Sequence, residues 1–338
     1  MLDSPDSRLL ELSAWLTRNL KSPCERIAPA SGDASFRRYF RVFSGGESLI
    51  AMDAPPPLED VEPFLQVADI LRTAGVNVPI VHAVDTEQGF VLLSDLGNSR
   101  YRDELAAETA DRLYGDAISA LVAFQQAVDI RSCERPPYSE ALLRRELNLF
   151  REWFLERALG IDLDAEEAWL LEQTWSRLIA SALEQPQVFV HRDYHSRNLM
   201  VCEAGNPGIL DFQDAVIGPI TYDLVSLLRD CYISWPAAWV DRWVDTYLEL
   251  AARCDLVKPT EADRFRGWFD LMGVQRHLKA VGIFARLKLR DNKRGYLADI
   301  PRTLGYITEA CQRYPEFSGF AAFLEETVMT RLADEAFA

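Results

Sequence analysis

The 338-residue sequence lacks several features that would assign it to a class at once. Its six cysteines form no Cys-x-x-Cys pair, so they indicate neither a zinc site nor a disulfide framework. No apolar run approaches the roughly 20 residues that a membrane-spanning helix needs. The first residues lack the basic segment and apolar core of a signal peptide, so we expect a cytoplasmic protein.

Positive charge is also scarce. The sequence has 36 Lys and Arg against 52 Asp and Glu, a formal net charge of −16. Nucleic acid and anionic membrane surfaces both require a basic surface, so we expect neither as a partner. The acidity has two open interpretations, simple solubility or a cationic substrate such as an aminoglycoside. Nothing in the sequence indicates an obligate protein partner.

Hydrophobic patterning places a boundary near residue 95. Before it we predict helices at 6–20 and 59–73 and strands at 36–43, 48–52, 78–84 and 89–93. After residue 101 helical periodicity dominates, with helices at 106–128, 139–159, 165–184, 222–230, 236–253, 261–289, 301–313 and 317–334. We therefore predict an α+β protein with a strand-rich N-terminal lobe at 1–95 and a mostly helical C-terminal lobe at 96–338, joined by a hinge at about 94–98.

One stretch of the second part carries polar residues between short apolar strands. The apolar residues 187–190 lead into His-x-Asp, with Asp193 followed by Asn198, and a later apolar stretch leads into Asp211-Phe-x-Asp. This spacing is typical of the catalytic loop and metal-binding segment of kinases. We predict that Asp193 accepts the proton of the attacking hydroxyl and that Asn198 and Asp211 hold Mg²⁺ against the phosphates of ATP.

Two histidines flank the proposed base. We interpret His191 as a packed residue that hydrogen-bonds the loop backbone. His195 lies two residues after Asp193, where protein kinases place a phosphate-directed lysine, and a contact with phosphate or substrate is left open for it.

The small-residue turn at 30–35 precedes the strand at 36–43, and together they suggest a flap over nucleotide phosphates. The candidate ATP contacts in this flap are Ser35, Phe36, Arg37 and Arg38. The alternative is an ordinary turn that only connects strands.

The stretches 191–199, 209–214 and 218–224 resemble the aminoglycoside phosphotransferase family, over nearly the full length of the chain. The resemblance implies the bilobal protein-kinase-like fold with an N-terminal nucleotide-binding lobe, ATP and Mg²⁺ as cofactors, and a hinge that contacts adenine through Ser94, Asp95 and Leu96. It also implies that Asp223 is a buried residue that braces the catalytic loop.

Within the family, residues 35–41, 51–56, 150–154 and 229–236 are similar to one branch, the anomeric amino-sugar kinases of bacterial cell-wall recycling. This resemblance implies phosphorylation of N-acetylmuramate and N-acetylglucosamine at C1. The sugar 1-phosphate would feed a route to the uridine-nucleotide sugar that bypasses the fosfomycin-sensitive step.

The sequence departs from the family at Met52, which occupies the position of the phosphate-binding lysine. A methionine cannot neutralise phosphate, so we hypothesise that an arginine of the flap strand compensates. Arg37 and Arg41 share one face of a strand and Arg38 lies on the other, so alternation alone does not choose among them.

A further set of residues is predicted to contact the acceptor sugar. The candidate sugar-binding residues are Glu146, His195, Asp214 and Tyr232. Glu146 has the alternative of an exposed ion pair, and Tyr232 shares a helix-like spacing with Trp235 and Trp239 that is also typical of core residues. Either Arg197 or Arg229 is a candidate for the lactyl carboxylate of N-acetylmuramate.

Three alternatives to the amino-sugar kinase stay open: an aminoglycoside kinase, a kinase for another small metabolite such as homoserine or choline, and a catalytically inactive nucleotide-binding relative. The last is suggested by Met52.

Overall fold

The computed structural model describes residues 6–32 and 36–334. The chain divides into two compact units. Unit 1 comprises Met1–Arg100 and Leu199–Asp214, and unit 2 comprises Tyr101–Asn198 and Ala215–Ala338.

Unit 1 contains a five-stranded antiparallel sheet with the order β1-β2-β3-β5-β4. Its strands are β1 (Cys24–Gly32), β2 (Arg38–Ser44), β3 (Glu47–Asp53), β4 (Val81–Asp85) and β5 (Phe90–Ser94). Two helices accompany it, α1 (Ser7–Asn19) and α2 (Glu62–Thr73). The predicted strands and helices of this part are thus confirmed within a few residues.

Helix α1 covers one face of this sheet. Its side chains Leu12, Trp15 and Leu16 are buried against strand residues of the same face, which are Phe40, Val42, Ala51, Phe90 and Leu92. The one-sided core follows from the strand period of two, which sends every second side chain to the helix. The helix begins at Asp6, whose carboxylate accepts a hydrogen bond from the Leu9 amide at 3.1 Å.

Strand β1 is absent from the prediction. Its sequence contains Pro29 and small residues, which argue against a strand in the middle of a sheet. The structure places β1 at the sheet edge, where a proline removes no inner-strand hydrogen bond, and its ladder with β2 is irregular between Pro29 and Ser31.

The later segment of unit 1 adds a two-stranded ladder, β7 (Leu199–Met200) with β8 (Gly208–Ile209). The Ile209 amide donates to the Asn77 carbonyl at 2.8 Å, and the Val201 amide donates to the Ser99 carbonyl at 2.7 Å. These bonds explain why residues after Asn198 fold with the N-terminal part of the chain.

Unit 2 is mostly helical, as predicted. It contains the short antiparallel ladder of β6 (Gln187–Val190) with β9 (Val216–Pro219). Its helices are α3 (Tyr101–Glu104), α4 (Ala110–Ala127), α5 (Glu140–Leu149), α6 (Ala165–Leu183), α7 (Tyr222–Leu228), α8 (Ala237–Arg253), α9 (Ala262–Asp291), α10 (Ile300–Gln312), α11 (Ser318–Phe323) and α12 (Thr330–Asp334). None of the described helices combines the length and apolar character that a membrane crossing requires.

The predicted helix at 139–159 is interrupted. After α5 the backbone continues as a π-helical segment, Phe150–Ala158. At this junction α9 comes so close that a Cβ on Gly282 would lie 2.3 Å from the Leu149 carbonyl carbon. Only glycine allows this approach, which sets the neighbouring turns of α9 against α5.

Candidate active site

The loop after β6 begins with two backbone amides held by one carboxylate. Asp223, in the first turn of α7, accepts hydrogen bonds from the His191 amide at 2.6 Å and the Arg192 amide at 2.9 Å. Arg192 has a left-handed backbone with φ of 76°, an unusual conformation that such bracing can maintain. Burial raises the pKa of Asp223 to about 7, and the neighbouring Asp193 charge adds to the effect.

A second carboxylate holds the other half of the loop. Asp230, just beyond the end of α7, accepts from the Ser196 amide at 3.0 Å and the Ser196 hydroxyl at 2.5 Å. Between these two anchor points, the Asn198 side-chain amide donates to the Asp193 carbonyl at 3.0 Å. The geometry of the loop is therefore fixed at both ends by residues of one helix and its C-terminal extension.

The histidine at the start of the loop is fully buried. Its Nδ1 lies 3.2 Å from the Asp193 amide, which donates to it. This is the loop-bonding role predicted for His191.

Asp193 lies in an electropositive environment. Burial alone would raise the pKa of Asp193, but Lys279, His195, Arg192 and Arg276 outweigh it and lower that pKa. The carboxylate is therefore ionised at neutral pH, the state in which it can accept a proton.

Arg192 and Lys279 share the carboxylate of Glu146. Arg192 forms a short ion pair with Glu146, and Lys279 Nζ lies 3.2 Å from the same oxygen. The hydroxyl of Tyr138 donates to the other oxygen. Glu146 is only 3% exposed, so it is not the exposed ion-pair partner considered from the sequence. Its predicted contact with substrate stays a prediction, and its placement favours a role in positioning the cations.

His195 and Tyr232, two residues predicted to bind substrate, contact each other, while their contact with substrate stays a prediction. Their rings meet edge to face with centroids 5.5 Å apart. His195 is buried, and its Nδ1 is a buried nitrogen without a hydrogen-bond partner among the described residues. Burial lowers the pKa of His195 despite the nearby Asp230 and Asp193 carboxylates, so the imidazole is neutral at pH 7.

The structure separates the two arginines considered for a substrate carboxylate. Arg197 lies over the rings of Tyr232 at 4.7 Å and Tyr296 at 5.3 Å, and it forms no ion pair with any described carboxylate. Arg229 instead pairs with Asp270 at 2.5 Å. Of the two arginines, Arg197 contacts two tyrosines and Arg229 contacts a carboxylate, so Arg197 is the better candidate for an anionic ligand.

The aromatic set at 232–239 does not form one helix face. Residues 231–236 precede α8, and Trp235 stacks on Trp239 with centroids 5.4 Å apart. The Trp235 indole donates to the Tyr114 hydroxyl at 2.8 Å. The two tryptophans therefore belong to a packing cluster, whereas Tyr232 joins His195.

In unit 1, the predicted hinge is tied to β2 by Arg41. Asp95 receives the guanidinium of Arg41 at 2.6 and 3.0 Å, and Arg41 also donates to the Gly97 carbonyl at 2.9 Å. The Ser94 hydroxyl accepts from the Ile80 amide at 2.8 Å. The Ser94 amide also donates to the Ile80 carbonyl at 2.9 Å. The contact of Ser94 and Asp95 with adenine stays a prediction.

The flap residues are held by other carboxylates. Glu59 accepts from the Phe36 amide at 3.0 Å and from Arg37 Nε at 2.9 Å. Arg38 pairs with Asp53 at 2.5 Å. Ser35 lies outside the described residues.

The donors predicted for Mg²⁺ fit such an ion chemically. Mg²⁺ is typically held by one or two carboxylate or amide oxygens together with phosphate oxygens and waters. Asp211 has a left-handed backbone with φ of 62° and accepts from the Gln213 side chain at 2.8 Å. The described residues contain no group of three or more His, Cys, Asp or Glu side chains suited to a metal. Asp214, a predicted substrate contact, is exposed.

Several residues of this site were not recognised from the sequence. Lys279 and Arg276 lie on α9, far along the chain from Asp193, and Glu59 lies in an irregular segment before α2. The one available signal was the occurrence of Arg276 and Lys279 in the apolar middle of a long helix, where charged residues are rarely buried without a partner.

The chain belongs to the phosphotransferase enzyme family, which matches residues 26–264. The fold is similar to that of an ADP-bound aminoglycoside phosphotransferase, with a TM-score of 0.60, 14% identity, and coverage of 89% of this chain and 98% of that chain. It is also similar to a choline kinase from Streptococcus pneumoniae, with a TM-score of 0.62, 10% identity, and coverage of 90% and 100%. These likenesses confirm the predicted kinase-like α+β fold.

Three sequence relatives have a higher identity to this chain than these two structures. A protein of Pseudomonas aeruginosa is 47% identical over 331 residues, covering 95% of this chain and 97% of that protein. A protein of Neisseria meningitidis is 44% identical over 326 residues, covering 95% and 96%. A third, from Caulobacter vibrioides, is 31% identical over 336 residues, covering 88% and 90%. Each of these relatives is named N-acetylmuramate/N-acetylglucosamine kinase. The predicted resemblance to that branch is confirmed.

Proposed function

We propose that this enzyme transfers the γ-phosphoryl group of ATP to the anomeric hydroxyl of N-acetylmuramate and N-acetylglucosamine. The observation that carries the proposal is the ionised Asp193 on a loop held at both ends by Asp223 and Asp230. The names and the extensive coverage of the relatives support the choice of sugars.

In the proposed reaction the C1 oxygen forms a bond to the γ-phosphorus while the bond from that phosphorus to the β–γ bridging oxygen breaks. The hydroxyl proton passes to Asp193, and ADP leaves. Asn198 and Asp211 would each offer an oxygen ligand to Mg²⁺, which would neutralise phosphate charge. Unit 1 would bind the nucleotide, and unit 2 would supply the base and the acceptor contacts.

The local charge around Asp193 favours an amino sugar over an aminoglycoside. A polycation needs carboxylates for its ammonium groups, but Glu146, Asp223 and Asp230 already accept hydrogen bonds from the protein. Arg197 adds a positive charge that would suit the lactyl carboxylate of N-acetylmuramate. The overall charge of −16 therefore does not describe the surroundings of the base.

Phosphorus NMR of the reaction product tests the proposal. The protein is incubated with Mg²⁺ and ATP and, in separate samples, N-acetylmuramate, N-acetylglucosamine and kanamycin. We expect a sugar 1-phosphate, recognised by coupling of phosphorus to the anomeric proton, and far less of it from the Asp193→Asn variant after the same incubation. Phosphorylation of kanamycin alone would contradict the proposal.

The product would serve peptidoglycan recycling in the cytoplasm, by supplying a sugar 1-phosphate for synthesis of the uridine-nucleotide sugar. Deletion of the gene should then increase sensitivity to fosfomycin. Unchanged sensitivity in a strain that lacks the protein would separate the enzyme from this pathway.

A further inference from the structure

Met52 occupies the place where kinases of this type carry a phosphate-binding lysine, and the sheet register shows which face it belongs to. Met52 lies opposite Tyr39 on β2 and Val91 on β5, and it is fully buried. Because partners across a ladder point to the same side, Met52 and Tyr39 share one face. The other face, with Phe40 and Ala51, is covered by α1.

The same register excludes Arg38 as the residue that replaces the phosphate-binding lysine. Arg38 lies opposite Asp53, on the face covered by α1, and its guanidinium pairs with Asp53 and lies over Phe40 at 5.5 Å. A cation on that side of the sheet cannot replace a lysine at Met52.

Arg41 lies on the same face as Met52 but at the hinge end of the sheet. It is opposite Ile50, which is itself opposite Leu93 near the end of β5. Its guanidinium is bound by Asp95 and the Gly97 carbonyl in the segment predicted to contact adenine. Arg41 therefore lies at the base end of a bound nucleotide.

Arg37 lies at the opposite end, directly before β2. At about 3.3 Å per residue, four residues separate it from Arg41 by about 13 Å, which is the scale of an extended nucleotide from base to terminal phosphate. Burial alone would lower the pKa of Arg37, but Tyr39 and Glu59 outweigh it and raise that pKa. The interaction with Tyr39 places the guanidinium on the same face as Met52.

Glu59 holds this arginine in a defined geometry. One of its oxygens accepts from Arg37 Nε and the other from the Phe36 amide, and the Arg37 and Glu59 side chains are each 11% exposed. In protein kinases a lysine of the third strand is oriented by a glutamate of the neighbouring helix. Here an arginine of the preceding strand is oriented by a glutamate just before α2.

We propose that Arg37, oriented by Glu59, binds the phosphates of ATP in place of the missing lysine. This inference rests on the proposed kinase function. The planar guanidinium can bond Glu59 through Nε and direct its terminal nitrogens to two phosphate oxygens, a geometry that a single ammonium group lacks.

Nucleotide binding measured by calorimetry without any sugar tests the assignment. We expect Arg37→Ala to weaken binding of Mg-ATP and ADP on the order of 10- to 100-fold, since charged hydrogen bonds to phosphate are lost, and to leave adenosine binding unchanged. Glu59→Gln should weaken ADP binding less. Arg26→Ala removes an exposed arginine of the same sheet and should bind all three ligands as the wild type does.

A rescue variant separates a phosphate contact from a general loss of structure. In the double variant Arg37→Ala/Met52→Lys, we expect ADP affinity to recover at least in part, because the lysine returns to the family position. Arg37→Lys offers a second route to partial recovery if the buried lysine prevents folding, which thermal unfolding would reveal.

The assignment fails if Arg37→Ala binds ADP as tightly as the wild type, or if Arg38→Ala or Arg41→Ala alone shows the phosphate-dependent loss. Failure of the proposed kinase function has a different signature. In that case the wild type binds nucleotide, with the expected dependence on Arg37, but phosphorylates neither amino sugar.

Discussion

Strand β2 and the catalytic loop organise their charges differently. Two arginines in and next to β2 each meet one carboxylate: Arg37 pairs with Glu59, and Arg41 pairs with Asp95. Between them, Arg38 pairs with both Asp53 and Asp6, and Asp53 also pairs with Arg8 from α1. In unit 2 the carboxylate of Glu146 is shared by Arg192 and Lys279, and both cations act on Asp193. The single pairs of Arg37 and Arg41 fix the positions of individual side chains. The shared carboxylate of Glu146 instead couples several groups around Asp193, so that loss of one changes the others.

The largest effect should come from the centre of the coupled group. Asp193→Asn removes the proposed base while its amide preserves the shape of the side chain, and we expect kcat to fall by about 10²- to 10⁴-fold. Steady-state kinetics with N-acetylglucosamine measures the loss, and ADP affinity should be unchanged. Retention of wild-type kcat would mean that Asp193 is not the base.

Removing the shared carboxylate should destabilise unit 2. Glu146→Gln leaves Arg192 and Lys279 buried without their common counter-charge, so we expect the free energy of unfolding to fall by about 3–5 kcal/mol. Urea denaturation measures it. Glu140→Gln on the same helix is the control, since Glu140 is exposed and 3.7 Å from Arg144, and should cost less than about 1 kcal/mol.

The outcome for Glu146 also decides between its two interpretations. An unchanged free energy of unfolding together with a raised KM for the sugar would contradict the positioning role and support a direct contact with substrate.

The buried cations of unit 2 predict that the free energy of unfolding depends on pH. Burial, together with the neighbouring Arg276 charge, lowers the pKa of His277 to about 3, and its Nε2 lies 2.8 Å from the Arg229 carbonyl. Below about pH 6.5, His277 is protonated in the unfolded chain but stays neutral in the folded protein. Stability is therefore lost as the pH falls from 6.5 toward 3, by about 2 kcal/mol at pH 5 from this group.

Urea denaturation at pH 7.5 and pH 5 tests this sign. The His277→Gln variant should lose about 2 kcal/mol less than the wild type between these pH values. His82→Gln changes an exposed histidine of unit 1 and should keep the wild-type dependence. Identical dependence in the wild type and His277→Gln would exclude the predicted contribution.

The smallest effect concerns Arg197, which, among the residues that the structure describes, forms neither a single ion pair nor a contact with the shared carboxylate of Glu146. Arg197→Gln should raise the KM for N-acetylmuramate about 10-fold, through loss of a charged hydrogen bond to its carboxylate, and change the KM for N-acetylglucosamine little. Arg102→Gln, whose guanidinium lies over the same Tyr232 ring at 5.5 Å, is the matched comparison. Equal changes in KM for both sugars would show that Arg197 does not bind the lactyl carboxylate.

Much of the fold follows from local patterns. The helices and most strands were predictable because apolar periods of 3.6 and 2 residues reflect which side faces a core. Strand β1 was missed because Pro29 argues against a strand, and only its place at the sheet edge makes the proline acceptable. The π-helical segment after α5 was missed because its local sequence keeps a helical period, and the close approach of α9 at this junction involves Gly282, more than 130 positions away.

The sequence by itself determined the chemistry that short spacing encodes. The Asp193–Asn198 loop and the Asp211 segment predicted a phosphotransferase, because the proposed base and metal donors follow one another along one stretch of chain. The face that Met52 shares with Arg37, and the cations that α9 brings to Asp193, were decided only by the tertiary structure. Strand register and helix packing join residues that are distant in the chain, and no local pattern records which of them meet.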